Sequence, residues 1–167
     1  MPITYPSIGK VIEIHALAMQ VSDDVVQGSN PDALALLESA LIHMQNDAYY
    51  PTIDEKLTHL FFSACKSHAF VEGNKRMALA LSVEFLAENC FDAITTQFVR
   101  HMEDVVVCVA DNKIDKALLG QIIRNFLVGD EEDEGIKLRI LDAVEQVRID
   151  QERRDAENQP PPPPGGG

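Results

Sequence analysis

Long hydrophobic runs, tryptophan and a disulfide framework are all missing from this sequence of 167 residues. No run approaches the roughly 18 apolar residues that a membrane-spanning helix needs, so a membrane partner is not expected. The first residues lack the basic region and long apolar stretch of a secretory signal. The three cysteines are an odd number without metal-ligand spacing, and we interpret them as small core residues. These absences predict a cytoplasmic protein.

Positive charge is also scarce, because 14 Lys and Arg stand against 27 Asp and Glu, for a net charge of -13. Nonspecific binding to nucleic acid depends on clustered Lys and Arg, so nucleic acid is not an expected partner. Much of the acidity is local, since positions 130–157 hold eleven acids and five basic residues. The remainder of the chain is only moderately acidic.

Apolar residues recur at intervals of three and four, and no segment alternates in the manner of a strand bounded by hairpin turns. We therefore expect an all-α fold in which about six helices form a compact domain over residues 1–128. The fourth helix is apolar nearly all round and is expected to be the central, most buried one. The predicted helices cover about 7–21, 31–44 after a cap at Asn30, 53–68 after a cap at Thr52, 74–89, 96–110 and 115–127.

The character of the sequence changes after Leu127, where the acidic segment begins. Residues 129–158 are predicted to form an acidic linker and a polar amphipathic helix from 136 to about 157. That helix could dock on the body, pair with a copy of itself or hold a partner, and docking is preferred. Self-association stays open. Residues 159–167, with five Pro and three Gly, are predicted to be a disordered tail.

The segment 67–76, with the sequence Ser-His-Ala-Phe-Val-Glu-Gly-Asn-Lys-Arg, lies between two predicted helices. A helix start binds anions because its first amides lack partners and carry the positive end of the helix dipole. Gly73 lets the backbone approach such a ligand and Asn74 can donate its side-chain amide. Lys75 and Arg76 add positive charge. These four adjacent residues favour a phosphate ligand.

Two further side chains of this segment suggest a reaction. Glu72 is a hard carboxylate beside the predicted phosphate site, an arrangement that suits Mg²⁺. His68 suits proton removal near neutral pH, because the unperturbed pKa of histidine is about 6.5. Phe70 is expected to anchor the loop in the core, and a nucleophilic pair of Cys65 with His68 is an alternative. The other histidines show no metal-ligand spacing and are interpreted as structural or surface residues: His15, His43, His59 and His101.

The pattern His-x-Phe-x-Glu-Gly-Asn-Lys-Arg resembles the signature of the Fic/Doc family, with seven of nine positions specified. The helical pattern over about 7–127 also resembles the compact Doc-type domain. The resemblance implies ATP as substrate with Mg²⁺, His68 as the base, Glu72 as the metal-binding acid and Phe70 as a structural anchor. It implies phosphate contacts from Gly73, Asn74 and Arg76.

The resemblance also bears on which group is transferred. Fic-type members usually have Gly at the position of Lys75 and transfer AMP to a hydroxyl of a target protein. Doc-like members have Lys there and transfer the terminal phosphate to a Ser or Thr hydroxyl. Many Fic members carry a second Arg where this chain has Leu79. Lys75 and Leu79 both favour a Doc-like kinase. Doc has Asp and Ala where this chain has Glu72 and Gly73, so AMP transfer remains an alternative. A non-catalytic interaction protein is the third alternative.

The same resemblance implies which partners the protein has and how its activity is inhibited. Short Doc-like proteins are commonly toxins held by a separate antitoxin, so an antitoxin is a possible partner, and a translation factor would suit as the target. Self-inhibition is not expected, because Asp130 stands where the family's inhibitory helix has Ser or Thr. The family uses the link before the third helix as a flap that aligns the target. This assigns the flap to Tyr49, Tyr50 and Thr52, although both tyrosines could equally cover the core.

Overall fold

The structure, a computed structural model, describes residues 2–20, 28–130 and 133–158. Within these ranges the chain forms α-helices with one short 3₁₀ helix and no β-sheet, which confirms the predicted all-α class. The helices are α1 (Ile8–Gln20), α2 (Pro31–His43), α3 (Ile53–Lys66), α4 (Asn74–Glu88), the 3₁₀ helix (Asp92–Ile94), α5 (Thr95–Ala110), α6 (Lys116–Val128) and α7 (Glu134–Glu157). None of these helices is long and apolar enough to cross a bilayer.

Capping residues explain several of the helix starts. The Asn30 side chain accepts hydrogen bonds from the amides of Asp32 and Ala33, at 3.1 and 3.3 Å, and Pro31 takes the first helical position of α2. Asp115 caps α6 by accepting from the Leu118 amide at 2.8 Å. Local sequence therefore determines where α2 and α6 begin.

Some predicted boundaries were wrong. The third helix ends at Lys66, two residues before the predicted end, because His68 has a left-handed φ of 49° that no α-helix contains. The 3₁₀ helix was not predicted, and α7 begins at Glu134 rather than 136, since Asp133 caps it through the Ile136 amide at 3.0 Å. The predicted end of the first helix at 21 and the predicted tail at 159–167 lie outside the described residues.

The core forms around two helices rather than one. We expected α4 to be the central helix, but α3 packs against α2, α4, α5 and α6, whereas α4 packs mainly against α1, α3 and α5. The side chains of Leu79 and Ala80 on α4 are only partly buried. Rings of α3, α5 and α6 meet edge to face, with Phe98 lying 6.4 Å from Phe61 and 5.4 Å from Phe126 between ring centroids.

Helix α7 docks on α5 and α6, which was the preferred alternative for it. Its Ala143 is fully covered, and Asp150 and Arg154 pair with the turn that joins α5 to α6. Lys113 lies 2.6 Å from Asp150, and Arg154 lies 3.4 Å from Asp111. Partly buried apolar residues complete its inner stripe: Ile136, Ile140, Val144 and Val147. The domain boundary at 128 stays a prediction.

Candidate active site

A cleft of about 510 Å³ opens where α3 ends and α4 begins. The loop residues predicted to act in catalysis, metal binding and phosphate binding all line this cleft: His68, Glu72, Gly73, Asn74, Lys75 and Arg76. The remaining lining residues are Met19, Cys65, Val71 and Ala110. The fold therefore brings the six predicted residues together around one space at the start of a helix.

The loop between α3 and α4 is anchored by Phe70 and by a histidine of α1. The Phe70 side chain is 5% exposed, and its ring lies parallel to that of His15 with 3.6 Å between centroids. The His15 ring also contacts the Glu72 carbonyl oxygen, with Nε2 at 2.8 Å as the donor. His15 was predicted to be a structural or surface residue. Its contact with the loop joins residues 57 positions apart, so neighbouring residues in the sequence do not indicate it.

Gly73 is required by both backbone conformation and space. Its φ is +79°, in the left-handed region that glycine adopts without a side-chain clash. A Cβ at this position would lie 2.4 Å from the Met19 sulfur and 3.2 Å from His15 Nε2. The backbone of the loop therefore passes directly against α1.

Asn74 closes the loop on itself. Its side-chain oxygen accepts from the Phe70 amide at 3.1 Å, and its side-chain nitrogen donates to the Phe70 carbonyl at 2.7 Å. The side chain predicted to donate to phosphate thus also holds the loop backbone in place. A phosphate contact by Asn74, which stays a prediction, would use the second N–H of the amide.

An extended segment outside the loop supports it from the other side. Ser29 and Phe70 form an antiparallel bridge. The Asn30 amide donates to the Ala69 carbonyl at 2.8 Å, and the Val71 amide donates to the Gly28 carbonyl at 3.1 Å. This pairing across forty positions was not predicted, because its short extended residues show no strand alternation.

The charged side chains of the cleft remain exposed. His68, Glu72, Lys75 and Arg76 are all solvent-exposed, and none of them forms an ion pair with another described residue. His68 is held in its left-handed conformation by the backbone around it, where the Ser67 hydroxyl accepts from the Ala69 amide at 3.3 Å. A rigid backbone thus presents one imidazole, one carboxylate and two cations to a ligand.

The donor set at the cleft fits a hydrated Mg²⁺. Glu72 is the carboxylate that lines this space, and it lies beside the amides of the α4 start. Mg²⁺ usually keeps several waters and takes one or two carboxylates together with substrate phosphates. The described residues contain no group of three or more His, Cys, Asp or Glu that could hold a metal ion. Glu72 could therefore hold Mg²⁺ only together with a bound phosphate.

The predicted flap residues lie elsewhere. Thr52 precedes α3, and its amide donates to the Glu55 carboxylate at 3.2 Å, whereas the cleft follows the other end of this helix. A helix of 14 residues is about 21 Å long. Tyr50 stacks on His59 with 4.4 Å between ring centroids, and Tyr49 and Tyr50 line a different cavity. The structure does not bring these three residues to the cleft, and Gly28–Asn30 lies beside the loop instead.

Cys65 lines the cleft but is not a competent nucleophile. Its side chain is 3% exposed, and its thiol contacts the Val106 carbonyl oxygen at 3.6 Å. Burial raises the pKa of the Cys65 thiol to about 11, so the thiol stays protonated near neutral pH. The Cys65–His68 alternative is thereby disfavoured.

The structure is an all-helical domain with a cleft lined by charged side chains at the start of a helix, and one family model matches part of the chain. Residues 5–86 match the family model described as Fic/DOC family, which covers 82 of the 167 residues and includes the whole loop. The resemblance to this family is confirmed over that segment. Its members are generally nucleotide-dependent protein-modifying transferases. A search of curated proteins and a search of solved structures each found no significant match.

Proposed function

We propose that this chain is a Doc-like transferase that moves the terminal phosphate of ATP to a Ser or Thr hydroxyl of a target protein. The observation that carries the proposal is the cleft of about 510 Å³, where one exposed imidazole, one carboxylate and two cations surround the start of α4. Phosphate ligands suit such a site because free helix amides and cations act together. The family match over residues 5–86 supports the same class of reaction.

Each loop residue has a role in this proposal. His68 removes the proton from the attacking hydroxyl, whose oxygen then bonds to the terminal phosphorus while the bond to the leaving nucleotide oxygen breaks. Glu72 would hold Mg²⁺, which supplies charge neutralisation on the phosphates when bound. The first amides of α4, together with Lys75 and Arg76, stabilise the charge on the transferred group.

AMP transfer is the second candidate, and two positions bear on the choice between AMP transfer and phosphate transfer. Leu79 is partly buried against the core and does not line the cleft, and a leucine side chain offers no donor for a further phosphate contact. The resemblance to the family made Gly73 an argument for AMP transfer. Its left-handed φ and the nearby Met19 sulfur also explain why glycine is present here, whichever group is transferred from the nucleotide. Lys75 and Leu79 therefore keep phosphate transfer ahead.

Labelled ATP tests the proposal directly. The protein, a His68→Ala variant and a His101→Ala control on α5 are incubated with cell extract and ATP labelled on the alpha or the gamma phosphate. We expect transfer of the gamma label by the wild type and by the control, and none by His68→Ala. Transfer of the alpha label would support AMP transfer instead. Absence of any His68-dependent label would leave the non-catalytic interaction protein as the function.

We also propose restraint by a separate antitoxin and an essential target such as a translation factor. The exposed charges of the cleft support this, because no described residue of the chain pairs with them. Induced expression should arrest growth with the wild type and not with His68→Ala. Equal growth of the two strains would argue against a toxin.

A further inference from the structure

A second cavity, of about 560 Å³, lies between the beginning of α3 and α6, at the end of α3 that is remote from the cleft. Aromatic, polar and small side chains line it: Tyr49, Tyr50, Asp54, Glu55, Thr58, Lys116, Ala117, Gly120, Gln121 and Arg124. None of these residues belongs to the loop at 67–76. The transfer reaction proposed above therefore leaves this cavity unexplained.

The amine of Lys116 has unusual neighbours in this cavity. Its Nζ lies 2.8 Å from Nδ1 of His59, and the Tyr50 hydroxyl lies 3.0 Å from the same nitrogen. The Lys116 Nζ also lies 5.2 Å from the centroid of the Tyr50 ring. Among the described residues, the Lys116 amine thus lies beside an imidazole nitrogen and an aromatic ring and has no ion pair with a carboxylate, in contrast to Lys10 and Lys113.

The two carboxylates of the cavity have other partners. Asp54 accepts from the Arg124 guanidinium at 2.9 Å, and Glu55 accepts from the Thr52 amide at 3.2 Å. Burial lowers the pKa of Lys116, and no opposing carboxylate raises it. An amine in this setting loses its proton more easily than an ordinary lysine.

His59 is placed to accept a hydrogen bond from this amine. Because Nδ1 lies next to two donors, the ring hydrogen of the neutral form belongs on Nε2, which is buried without a hydrogen-bond partner. Burial first, and then the nearby charges of Lys116 and His43, lower the pKa of His59 to about 4. His59 is therefore neutral near pH 7, with its Nδ1 lone pair directed at the amine.

We propose that Lys116 is a nucleophilic amine that forms an imine with a small aldehyde bound in this second cavity. The Nζ lone pair attacks the carbonyl carbon, the carbonyl π electrons move to oxygen, and a proton passes from nitrogen through His59 Nδ1 to that oxygen. Loss of water then gives the imine, so atoms and charge balance without a further reactant. A nucleophile beside a base is the usual arrangement for covalent chemistry.

Two other lysines provide internal controls. Lys10 lies 2.9 Å from Glu84, whose hydrogen bond and charge raise the pKa of Lys10. Lys113, only three positions before Lys116, lies 2.6 Å from Asp150. Both amines lie beside a carboxylate, whereas the Lys116 amine lies beside an imidazole nitrogen.

Reductive trapping tests the proposal on the intact chain. The folded protein is treated briefly with pyridoxal 5′-phosphate at pH 7, reduced with borohydride and mapped by peptide mass spectrometry. We expect Lys116 to be labelled severalfold faster than Lys10 and Lys113, since burial lowers the pKa of Lys116 and leaves more of its amine unprotonated. In urea-unfolded protein the three rates should be equal. Equal rates in the folded protein overturn the proposal.

Two variants separate the chemistry from access to the cavity. His59→Gln removes the proton acceptor and should reduce labelling at Lys116 toward the rate at Lys113. Ala117→Phe should reduce labelling by pyridoxal 5′-phosphate while sparing labelling by formaldehyde, because only the larger aldehyde needs the cavity. Circular dichroism verifies that each variant is folded. Unchanged labelling at Lys116 in both folded variants would overturn the proposal, and His68→Ala should label as the wild type does.

Discussion

The polar side chains at the two ends of α3 differ in burial and in pairing. Near its start, Lys56 is fully buried, and its ammonium donates to the Met44 carbonyl at 3.0 Å and to Asp47 at 2.7 Å. Beyond its end, the charged side chains of the loop are exposed, and none forms an ion pair with another described residue. The start of α3, the paired end, is stabilised by partners within the chain. The loop beyond Lys66, the exposed end, has charged side chains without ion-pair partners among the described residues, and these charges are available to a ligand.

The backbone at the exposed end is nevertheless held firmly. Phe70 stacks on His15, Asn74 closes the loop, and Gly28 with Asn30 pairs with it from outside. A binding site benefits from this combination, because fixed donors need not reorganise when the ligand arrives. The contrast between the two ends therefore predicts that mutations will separate activity from stability.

The largest expected effect is on activity at the exposed end. Glu72→Ala should lower the proposed Mg²⁺-dependent transfer by about a hundredfold or more, because it removes the carboxylate beside the proposed phosphate site. The free energy of unfolding should change by less than about 0.5 kcal/mol, since the side chain is exposed. Initial rates with labelled ATP and urea unfolding measure the two quantities. Glu88→Ala, at the other end of α4, should affect neither, and a large stability loss in Glu72→Ala would break the comparison.

Gly73→Ala should damage stability and activity together, because this residue belongs to the rigid part of the exposed end. We expect a loss of about 2–3 kcal/mol, from the left-handed backbone and from the contact of the new Cβ with Met19. Gly129→Ala is the matched control, since its φ is also positive at 74° but its Cβ would meet nothing within 4 Å. It should lose only about 1–2 kcal/mol.

A double-mutant cycle makes this test sharper. In a Met19→Ala background, the cost of Gly73→Ala should fall toward that of Gly129→Ala, because the crowded sulfur is gone. Urea unfolding of the four variants gives the interaction free energy. An additive result would show that the packing of α1 against the loop does not depend on this contact.

At the paired end, Lys56→Met should lower stability by about 2 kcal/mol, because the buried Met44 carbonyl loses its donor. The exposed Asp47 carboxylate can return to water, and methionine fills most of the lysine's space. Activity per folded molecule should be unchanged. Lys10→Met, which removes a more exposed ion pair, should leave the urea midpoint near that of the wild type. Loss of activity in folded Lys56→Met would link the two ends of α3.

Sequence patterns were sufficient to predict the features that depend on residues close together in the chain. The predicted cap at Asn30 and the predicted helix start near Asp115 agree with α2 and α6, and apolar periodicity predicted the all-α class. The six loop residues were predicted as one group, and they line one cleft. Their order along the chain was enough, because a short loop at a helix start keeps adjacent side chains close together.

Contacts between distant parts of the chain were not predictable in this way. His15 reaches the loop across 57 positions, and Lys116 reaches His59 across the same separation. The early end of α3 depends on the left-handed φ of His68, which the apolar periodicity of the segment does not indicate. The flap was placed by analogy with other members of the family, and the tertiary packing puts Gly28–Asn30 beside the loop instead.

The smallest expected effect concerns pH at the paired end of α3. Burial raises the pKa of Asp54, but hydrogen bonds from Thr52 and Arg124 outweigh it and lower the pKa below its usual value. A lowered folded-state pKa contributes stability above the unfolded value of about 3.9, and this contribution is lost as pH falls through the folded value.

The free energy of unfolding of the wild type should therefore exceed that of Asp54→Asn at pH 6, and the difference should shrink as the pH falls below the unfolded value of about 3.9. Arg124→Gln should narrow this difference, since it removes the partner at 2.9 Å. Chemical denaturation at each pH measures it. A difference that persisted undiminished at pH 3 would show that Asp54 stabilises α3 through packing rather than through its charge, and the paired end would then owe less to electrostatics than the structure implies.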